Sequence, residues 1–234
     1  MLKMKNVLFI GDIHGNPEWD DIAKDALNKK HDIIFLGDFC DSFFQTPVEQ
    51  LDNLKNICEF IRKNKKHVTA LLGNHDYSYI HNIDSISGKQ YAHAYEYKKI
   101  FDDNIDLFQM AWGYTNPTTG KYTLATHAGL TKNFYEFILK PEIRSGEKIH
   151  KTLNRLQNKK EIMWAVGRMR GGRGIPGPLW CDYQEFLEDP YTGINQVFGH
   201  TPLTKPRIDN FGDDFVACID SRGNLRVESM TITL

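Results

Sequence analysis

Five short segments with one shared composition constrain this chain more than any other feature of its sequence. Each places a carboxylate, an amide or an imidazole beside a glycine, and most of them directly follow a run of β-forming apolar residues. The segments are Gly11–Gly15 (Gly-Asp-Ile-His-Gly), Gly37–Asp41 (Gly-Asp-Phe-Cys-Asp), Gly73–Asp76 (Gly-Asn-His-Asp), Thr126–Gly129 (Thr-His-Ala-Gly) and Gly199–Pro202 (Gly-His-Thr-Pro). Ligands that close two metal ions come from distant parts of a sequence and meet at one edge of a sheet. The five segments together therefore predict a metal centre.

The first third of the chain alternates between predicted strands and predicted helices. Short apolar runs at Val7–Ile10, Ile33–Leu36 and Val68–Leu72 are typical of strands that are buried on both faces. An apolar stripe after Asn16, which can act as the cap, predicts the first helix. Thr46–Glu49 has the pattern of a capping box that begins the second helix. Strand, helix, strand, helix, strand predicts parallel pairing through right-handed crossovers.

The remainder of the chain carries weaker patterns of the same two kinds. The predicted helices are residues 90–101, 132–140 and 147–158. The predicted strands are residues 122–125, 196–198, 215–219 and 225–228, and a turn at 221–224 makes the last two an antiparallel hairpin on a second sheet. A chain of 234 residues is long enough to bury one sizeable core, so we expect a single α/β domain over residues 1–234.

Charge and cysteine usage exclude several classes of function. The formal net charge is −1, so no broad basic surface for nucleic acid is expected. The four cysteines show no paired CxxC spacing, which argues against a zinc knot or a disulfide scaffold. No apolar stretch approaches the length of a signal peptide or a membrane span, so we expect a cytoplasmic protein without membrane contact. Nothing in the sequence indicates an oligomeric state.

The polar residues of the first three segments follow the predicted strands. In open α/β sheets, ligands bind beyond the carboxyl ends of the strands, where Asp12, Asp38 and Asn74 fall. Carboxylates, imidazoles and one amide form a mixed hard and borderline set that suits Mn²⁺, Fe or Zn²⁺ better than Ca²⁺ or Cu(I). Two such ions, about 3.5–4 Å apart, can share a carboxylate, hold a bridging hydroxide and clamp both oxygens of a phosphoryl transfer.

In their order and spacing the five segments resemble those of the calcineurin-like metallophosphoesterase superfamily, and specifically of its phosphoprotein phosphatase branch. The resemblance covers Asp12 to Pro202, which is most of the chain. It implies an α/β fold of the αββα sandwich type, in which two mixed β-sheets are flanked by helices. It also implies two divalent metal ions per chain, Mn²⁺ in the first place, with Fe or Zn²⁺ as alternatives.

The resemblance further implies a role for each polar residue of the segments. Six residues would hold the metal ions: Asp12 and His14 the first ion, Asp38 both ions, and Asn74, His127 and His200 the second ion. Asn74 would also contact the substrate. His75 would donate a proton to the leaving oxygen, and Asp41 would orient His75.

Each of these residues also has an ordinary interpretation when it is taken alone. Asp12 fits a turn, His127 fits a satisfied core histidine and Asn74 fits a helix cap. For any one of them the ordinary interpretation is the better one. Five such segments in the order of a known family favour the functional interpretation for the set.

Three departures from the pattern of the branch bear on the substrate. The branch usually continues the second segment as Asp-Arg-Gly, with the arginine on the phosphate, whereas Ser42 and Phe43 follow Asp41 here. Diesterase branches often end in Gly-His-x-His, and Pro202 in the place of the second histidine favours the phosphatase branch. Asp76 stands where the branch usually has Glu. One phosphate contact must therefore come from elsewhere or be missing.

A basic loop is the candidate source of that contact. Arg168–Arg173 reads Arg-Met-Arg-Gly-Gly-Arg and resembles the region where related phosphatases place another phosphate-binding arginine. A guanidinium fork matches phosphate oxygens in two places at once. We expect Arg170 in the first place, and Arg173 in the second, to bind substrate; a solvated basic loop is the alternative for each.

The leading hypothesis is a metal-dependent phosphoric ester hydrolase that is serine/threonine phosphatase-like. Its substrate would be a phosphoserine or phosphothreonine protein, or a small phosphomonoester, attacked in line by a metal-bridging hydroxide. The alternative is a symmetrical dinucleoside polyphosphate hydrolase that acts on diadenosine tetraphosphate. A non-catalytic scaffold of the same fold is less favoured, because every metal position and the proton donor are occupied by suitable residues.

Overall fold

The computed structural model describes residues 5–42, 44–84, 86–221 and 226–234. The chain divides into two compact units. The first unit comprises Lys5–Gln109 with Gly223–Leu234, and the second comprises Met110–Arg222. The single domain expected over residues 1–234 stays a prediction. Within the described ranges, no helix combines the length and the apolar composition that crossing a membrane requires.

A five-stranded mixed sheet forms the centre of the first unit. Its strands, in the order of the sheet, are β10 (Ser229–Thr233), β1 (Asn6–Ile10), β2 (Asp32–Phe35), β3 (Val68–Leu71) and β4 (Phe108–Gln109). Neighbours from β1 to β4 are parallel, and β10 lies antiparallel to β1. The three predicted strands are therefore confirmed, and so is their parallel pairing.

Four helices belong to the part of the first unit that the structure describes. They are α1 (Trp19–Asn28), α2 (Pro47–Lys63), α3 (Asn74–Ile80) and α4 (Ala94–Asp103), with 3₁₀ turns at Tyr91–His93 and Ile105–Leu107. Among the described residues, a side chain caps the start of α2, whereas α1 and α4 begin without a side-chain cap. The predicted capping box of α2 is confirmed: the Glu49 N–H donates to Thr46 Oγ1, and the Thr46 N–H donates to Glu49 Oε2 at 2.8 Å. Asn16 lies just outside α1, and its Oδ1 accepts from the Glu18 N–H at 3.0 Å.

Glycines at the carboxyl ends of the parallel strands let the loops that follow approach each other closely. Gly11 directly follows β1, and Gly37 and Gly73 come two residues after β2 and β3. Gly37 has φ +110°, and a Cβ at this position would lie 2.4 Å from the backbone nitrogen of Gly73. Only glycine fits such an approach and such a torsion angle. The loops after β2 and β3 are thus held in contact.

The second unit contains a second five-stranded mixed sheet. Its strands, in the order of the sheet, are β5 (Ala111–Thr115), β6 (Tyr122–Thr126), β7 (Asn195–Phe198), β9 (Asp214–Cys218) and β8 (Arg207–Phe211). The central three strands are parallel to one another, and the two outer strands are antiparallel to their neighbours. The strands predicted at 122–125, 196–198 and 215–219 correspond to β6, β7 and β9.

Helices in the second unit are short. They are α5 (Lys132–Phe134), which continues as a π-helical turn over Tyr135–Leu139, then α6 (Ile149–Arg155), α7 (Lys160–Met163) and α8 (Tyr183–Glu188), with 3₁₀ turns at Lys140–Glu142 and Arg168–Arg170. The helices predicted at 132–140 and 147–158 are therefore found with irregular or shorter geometry. The two mixed sheets with flanking helices confirm the predicted fold class.

The hairpin predicted at the end of the chain is wrong. The antiparallel neighbour of β9 is β8, which precedes it in the sequence. The last strand begins at Ser229 and pairs with β1 in the first sheet. That pairing fills the open edge of β1, which a local turn signal cannot reveal. Of the turn predicted at 221–224, only Ser221 belongs to the described residues, and Leu225 lies outside them as well.

Gln196 on β7 fixes the segment that follows β6. Its side chain is 1% exposed. Gln196 Oε1 accepts from the Leu130 N–H at 3.0 Å, and Nε2 donates to the carbonyl oxygens of Leu130 and Tyr191 at 3.1 and 2.8 Å. Three backbone groups of loops thus bond to one buried amide, and the Leu130 carbonyl also accepts from the Tyr191 N–H at 3.3 Å.

We expect Gln196→Leu to lower the free energy of unfolding by about 2 kcal/mol, because it leaves buried backbone groups without partners. Urea unfolding followed by circular dichroism measures the change. Gln184→Leu on the exposed surface of α8 is the matched control, and its effect should stay within about 0.5 kcal/mol. Equal stability of the two variants would show that Gln196 does not anchor the Leu130 segment.

Candidate metal centre

In the first unit, three predicted residues form a compact cluster. His14, Asp38 and His75 each offer a ligand atom, and these atoms all lie within 4.8 Å of one another. His14 Nε2 is 3.8 Å from Asp38 Oδ2 and also 3.8 Å from Asp12 Oδ2. His75 Nε2 is 4.0 Å from Asp38 Oδ2. Carboxylate oxygens and imidazole nitrogens that converge in this way fit a divalent metal ion.

Backbone hydrogen bonds hold the first two segments together around Asp38. The Asp38 carbonyl accepts from the N–H groups of Ile13 and His14 at 3.1 and 2.7 Å. His14 Nδ1 lies 2.9 Å from the Cys40 carbonyl oxygen. Because a carbonyl can only accept, Nδ1 carries a proton, and Nε2 is the ring nitrogen that faces the two carboxylates and that a metal ion would bind. The neutral ring with its proton on Nδ1 is the tautomer that a metal ligand needs.

The third segment adds a buried histidine–carboxylate pair. His75 Nδ1 is 2.8 Å from Asp41 Oδ2, and Asp41 is completely buried. The His75 N–H donates to Asp38 Oδ1 at 2.9 Å. Burial on its own would lower the pKa of His75, but the carboxylates of Asp38 and Asp41 outweigh it and raise that pKa. Asn74, the first residue of α3, is buried beside His75 in the chain.

Asp76 has a role that the sequence analysis did not assign. Its Oδ1 accepts from the Phe39 N–H and its Oδ2 from the Gly73 N–H, each at 2.9 Å. Burial first, and the Asp38 carboxylate second, raise the pKa of Asp76, while the two N–H donors oppose the rise. Asp76 therefore joins the second and third segments. Its place in the first turn of α3, where a carboxylate often accepts from backbone N–H groups, was the available signal.

Ser42, which stands where the branch has arginine, closes a turn. Its Oγ accepts from the N–H groups of Phe44 and Gln45, both at 3.1 Å. The Ser42 N–H donates to Gln50 Oε1 at 2.9 Å, and Ser42 itself is buried. Phe43 lies outside the described residues. Ser42 thus serves the backbone of the loop, and it offers no cation to a phosphate.

In the second unit, the two predicted histidines lie side by side. His127 follows β6 and His200 follows β7, so both lie past the carboxyl ends of neighbouring parallel strands. His127 Nε2 is 3.1 Å from His200 Nδ1, and the Gly199 N–H donates to the His127 carbonyl at 2.8 Å. Both rings are buried. Trp180, which the sequence analysis did not assign, packs edge-on against His200 with ring centroids 5.6 Å apart.

The structure separates the two candidate phosphate arginines. Arg170 Nη2 donates to the His200 carbonyl at 3.4 Å and to Thr201 Oγ1 at 3.2 Å. Arg170 Nε also pairs with Asp182 Oδ2 at 3.0 Å. Arg173 instead lines a cavity of about 340 Å³ that is also lined by Arg168, Glu185 and Glu188. Of the two, Arg170 is therefore the one that contacts a predicted metal ligand.

Backbone torsion angles single out the same residues. In the described chain, six residues other than glycine have positive φ: His14, Lys30, Asp38, Asp41, Asn82 and His200. Four of these six belong to the predicted site. The left-handed region is sparsely populated by residues with a side chain, and residues held there cluster at functional sites. The torsion angles thus support a functional interpretation by an observation independent of the motif.

We expect Asp76→Asn to destabilise the protein by about 2 kcal/mol, because an amide offers one acceptor oxygen where two backbone N–H groups need acceptors. Urea unfolding in the presence of EDTA measures this without a contribution from metal binding. Asp25→Asn on α1 is the control, since the Asp25 side chain is 61% exposed. If Asp76→Asn and Asp25→Asn have the same urea midpoint of unfolding, Asp76 does not join the second and third segments.

Comparisons with known proteins identify the family of the chain. The family model of calcineurin-like phosphoesterases matches residues 5–227. No curated protein matches the chain. A predicted phosphoesterase from Streptococcus pneumoniae TIGR4 is 12% identical, with TM-score 0.35 and coverage of 99% of this chain and 85% of that one. The E. coli phosphoesterase Yfce is 13% identical, with TM-score 0.38 and coverage of 92% of this chain and 79% of that one. On the family match, the chain belongs to the calcineurin-like phosphoesterases and is a metal-dependent phosphoesterase.

Proposed function

We propose that this chain is a phosphatase of the phosphoprotein phosphatase branch, which hydrolyses phosphomonoesters with two metal ions. The observation that carries the proposal is the pair of His75 and Asp41, with an imidazole held at 2.8 Å by a buried carboxylate. The other nitrogen of that imidazole lies 4.0 Å from Asp38 Oδ2. A proton donor beside a candidate metal-binding carboxylate is the arrangement that departure of an alkoxide from phosphorus needs.

The family resemblance assigns the metal ligands in this proposal. Asp12 and His14 would hold the first ion, Asp38 both ions, and Asn74, His127 and His200 the second ion. The donor set suits Mn²⁺ in the first place, with Fe or Zn²⁺ as alternatives. When bound, the ions supply Lewis-acid polarisation of the phosphoryl group and lower the pKa of water.

His75 is the proposed proton donor to the leaving oxygen. Asp41 keeps the proton on His75 Nδ1, so that Nε2 delivers the second proton of the imidazolium. The carboxylates of Asp38 and Asp41 raise the pKa of His75 despite its burial, and this is the direction that favours a proton donor. Asp41 acts through His75, because its own carboxylate is completely buried.

Arg170 and Asn74 are the proposed contacts to the phosphate. Arg170 is favoured over Arg173 because its guanidinium already contacts the residues at the His200 segment. It would take over the function that Ser42, with no charge, cannot provide. Since a guanidinium binds two phosphate oxygens at once, its contribution grows as charge develops on those oxygens.

The proposed substrates are phosphoserine or phosphothreonine proteins and small phosphomonoesters. Pro202, in the place of a second histidine, supports monoesters over diesters. A cytoplasmic location, without nucleic-acid or membrane partners, belongs to the same proposal. Activity on diadenosine tetraphosphate, with none on monoesters, would instead favour the dinucleoside polyphosphate hydrolase.

A substrate panel tests the proposal directly. The metal-loaded protein is assayed on a phosphothreonine peptide, p-nitrophenyl phosphate, bis(p-nitrophenyl) phosphate and diadenosine tetraphosphate, with Mn²⁺, Fe²⁺ or Zn²⁺ added separately. We expect both monoesters to be hydrolysed faster than the diester, and EDTA to abolish turnover. A preference for the diester would contradict the phosphatase assignment, and no turnover of any substrate would favour a scaffold.

We expect Asp38→Asn to retain the fold and to lose metal, because both ions would share the carboxylate of Asp38. Elemental analysis after gel filtration should give clearly fewer than two ions per chain, with nearly all turnover lost. Asp52→Asn is the matched control, because Asp52 lies on the exposed face of α2 and its side chain is 63% exposed. Two tightly bound ions per chain in Asp38→Asn would contradict the bridging role.

We expect Arg170→Ala to raise KM and to lower kcat, with a total loss in kcat/KM of about 10²-fold on phosphomonoesters. Arg173→Ala in the same loop is the comparison, and its effect should be much smaller. Steady-state kinetics at fixed metal concentration measures both variants. An unchanged kcat/KM for Arg170→Ala would show that the guanidinium binds no phosphate and serves only the contacts to Thr201 and Asp182.

A further inference from the structure

Asp41 has a second partner besides His75. The hydroxyl of Tyr79 donates to Asp41 Oδ1 at 2.5 Å, while His75 Nδ1 holds Oδ2 at 2.8 Å. Tyr79 lies four residues after His75 on α3, so both side chains leave the helix on one face. Tyr79 is 1% exposed. Both oxygens of the buried carboxylate are therefore fixed by side chains of a single helix.

The direction of the Tyr79 hydroxyl is determined by the backbone. The Gln90 N–H donates to the Tyr79 oxygen at 2.8 Å. A phenol has one proton, and an oxygen that accepts from Gln90 directs that proton to its remaining neighbour, Asp41. Burial first, and then the Asp41 charge, raise the pKa of Tyr79, so the phenol remains a donor.

The ring of Tyr79 is itself held from two sides. The Tyr97 ring lies with its centroid 4.7 Å away and its plane tilted by 31°. Lys89 Nζ lies 5.2 Å from the Tyr79 centroid and donates to the Ile83 carbonyl at 2.5 Å. A cation over one aromatic face and a tilted neighbouring ring restrict the movement of the Tyr79 ring. The hydroxyl therefore stays at Asp41 by packing as well as by its hydrogen bonds.

We propose that Tyr79 is a positioning residue for catalysis, which orients the Asp41 carboxylate and through it the imidazole of His75. The proposal rests on the proposed function, since it concerns the proton donor of that reaction. A carboxylate held at one oxygen only can rotate about its Cβ–Cγ bond, and His75 would then lose its fixed orientation. Partners of this kind, one step removed from the reacting groups, typically contribute about 10–100-fold where they have been tested at metal sites.

The test is Tyr79→Phe, which removes the hydroxyl and keeps the ring. Tyr97→Phe is the matched control, because it removes a hydroxyl from the neighbouring ring whose partners, the Pro47 carbonyl and Gln50 Oε1, are each 3.4 Å away. The first readout is the proton on His75 Nδ1, observed by NMR in protein loaded with diamagnetic Zn²⁺. We expect Tyr79→Phe to shift this resonance and to speed its exchange with water, and Tyr97→Phe to leave it unchanged.

The second readout is the dependence of the rate on the leaving group. With Tyr79→Phe, kcat for an alkyl phosphate should fall about tenfold, whereas kcat for p-nitrophenyl phosphate should change little, and KM should stay the same for both. An alkoxide needs the proton from His75, and p-nitrophenolate departs without it. Equal losses on the two substrates would overturn the proposal, because they would indicate a general structural defect.

Failure of the inference and failure of the proposed function are distinguishable. If the wild type hydrolyses no phosphomonoester, the proposed function is wrong, and the NMR readout alone decides whether Tyr79 orients His75. An unchanged Nδ1 proton in Tyr79→Phe would overturn the positioning role whatever the activity. Should Tyr79→Phe not fold, 3-fluorotyrosine at position 79 provides a more acidic donor. A stronger hydrogen bond from this fluorinated phenol to Asp41 should shift the His75 Nδ1 proton resonance, in the direction opposite to the shift that a weakened bond causes. An unshifted resonance would contradict the positioning role of Tyr79.

Discussion

The close approach of the loops after β2 and β3 is the constraint on which the first unit depends. Gly37 and Gly73 meet so closely that a Cβ on Gly73 would lie 2.0 Å from Asp38 Oδ1. Asp38 is then fixed from two directions, because its carboxylate accepts from the His75 N–H and its carbonyl accepts from the first segment. Three segments separated by tens of residues are thereby joined at one aspartate. The candidate metal ligands of the first unit are thus positioned relative to one another by backbone contacts.

Holding these residues in place has an energetic cost in the folded chain. His14, Asp38, Asp41 and His200 all have left-handed backbone angles, each of which costs on the order of 1–3 kcal/mol for a residue with a side chain. Aspartate and histidine are both found in this region more often than most residues with a side chain, which lowers the cost at these four positions. Buried hydrogen bonds such as those of Asp76 and Gln196 offset part of the strain. The hydrogen bonds of the surrounding loops thus compensate in part for the strained backbone that holds the candidate site residues in place.

The sequence predicted the parts of the fold that depend on local pattern. Strands β1, β2 and β3 are apolar runs that end near a glycine, and the segments after them carry the site residues. Strand β4, with only two residues, and the pairing of β10 with β1 across more than 200 residues depend on contacts that no local pattern records. The contacts of Asp76 and Tyr79 were missed for a related reason. Both residues lie on α3, Asp76 at the end of the third segment and Tyr79 three residues beyond it. Their roles depend on which loops the helix contacts, and the sequence does not show this.

The turn closed by Ser42 makes it difficult for this chain to carry a phosphate-binding arginine at position 42. Its hydroxyl satisfies two backbone N–H groups, and Gln50 from α2 satisfies a third. An arginine at position 42 would have to place a guanidinium in a buried pocket and would leave two amides without an acceptor. The arginine-bearing form of this loop is therefore not one substitution away. The Ser42 hydroxyl also donates to Gln45 Oε1, so the side chains at positions 45 and 50 both contact residue 42. Relatives that differ at position 42 are therefore expected to differ at positions 45 and 50 as well.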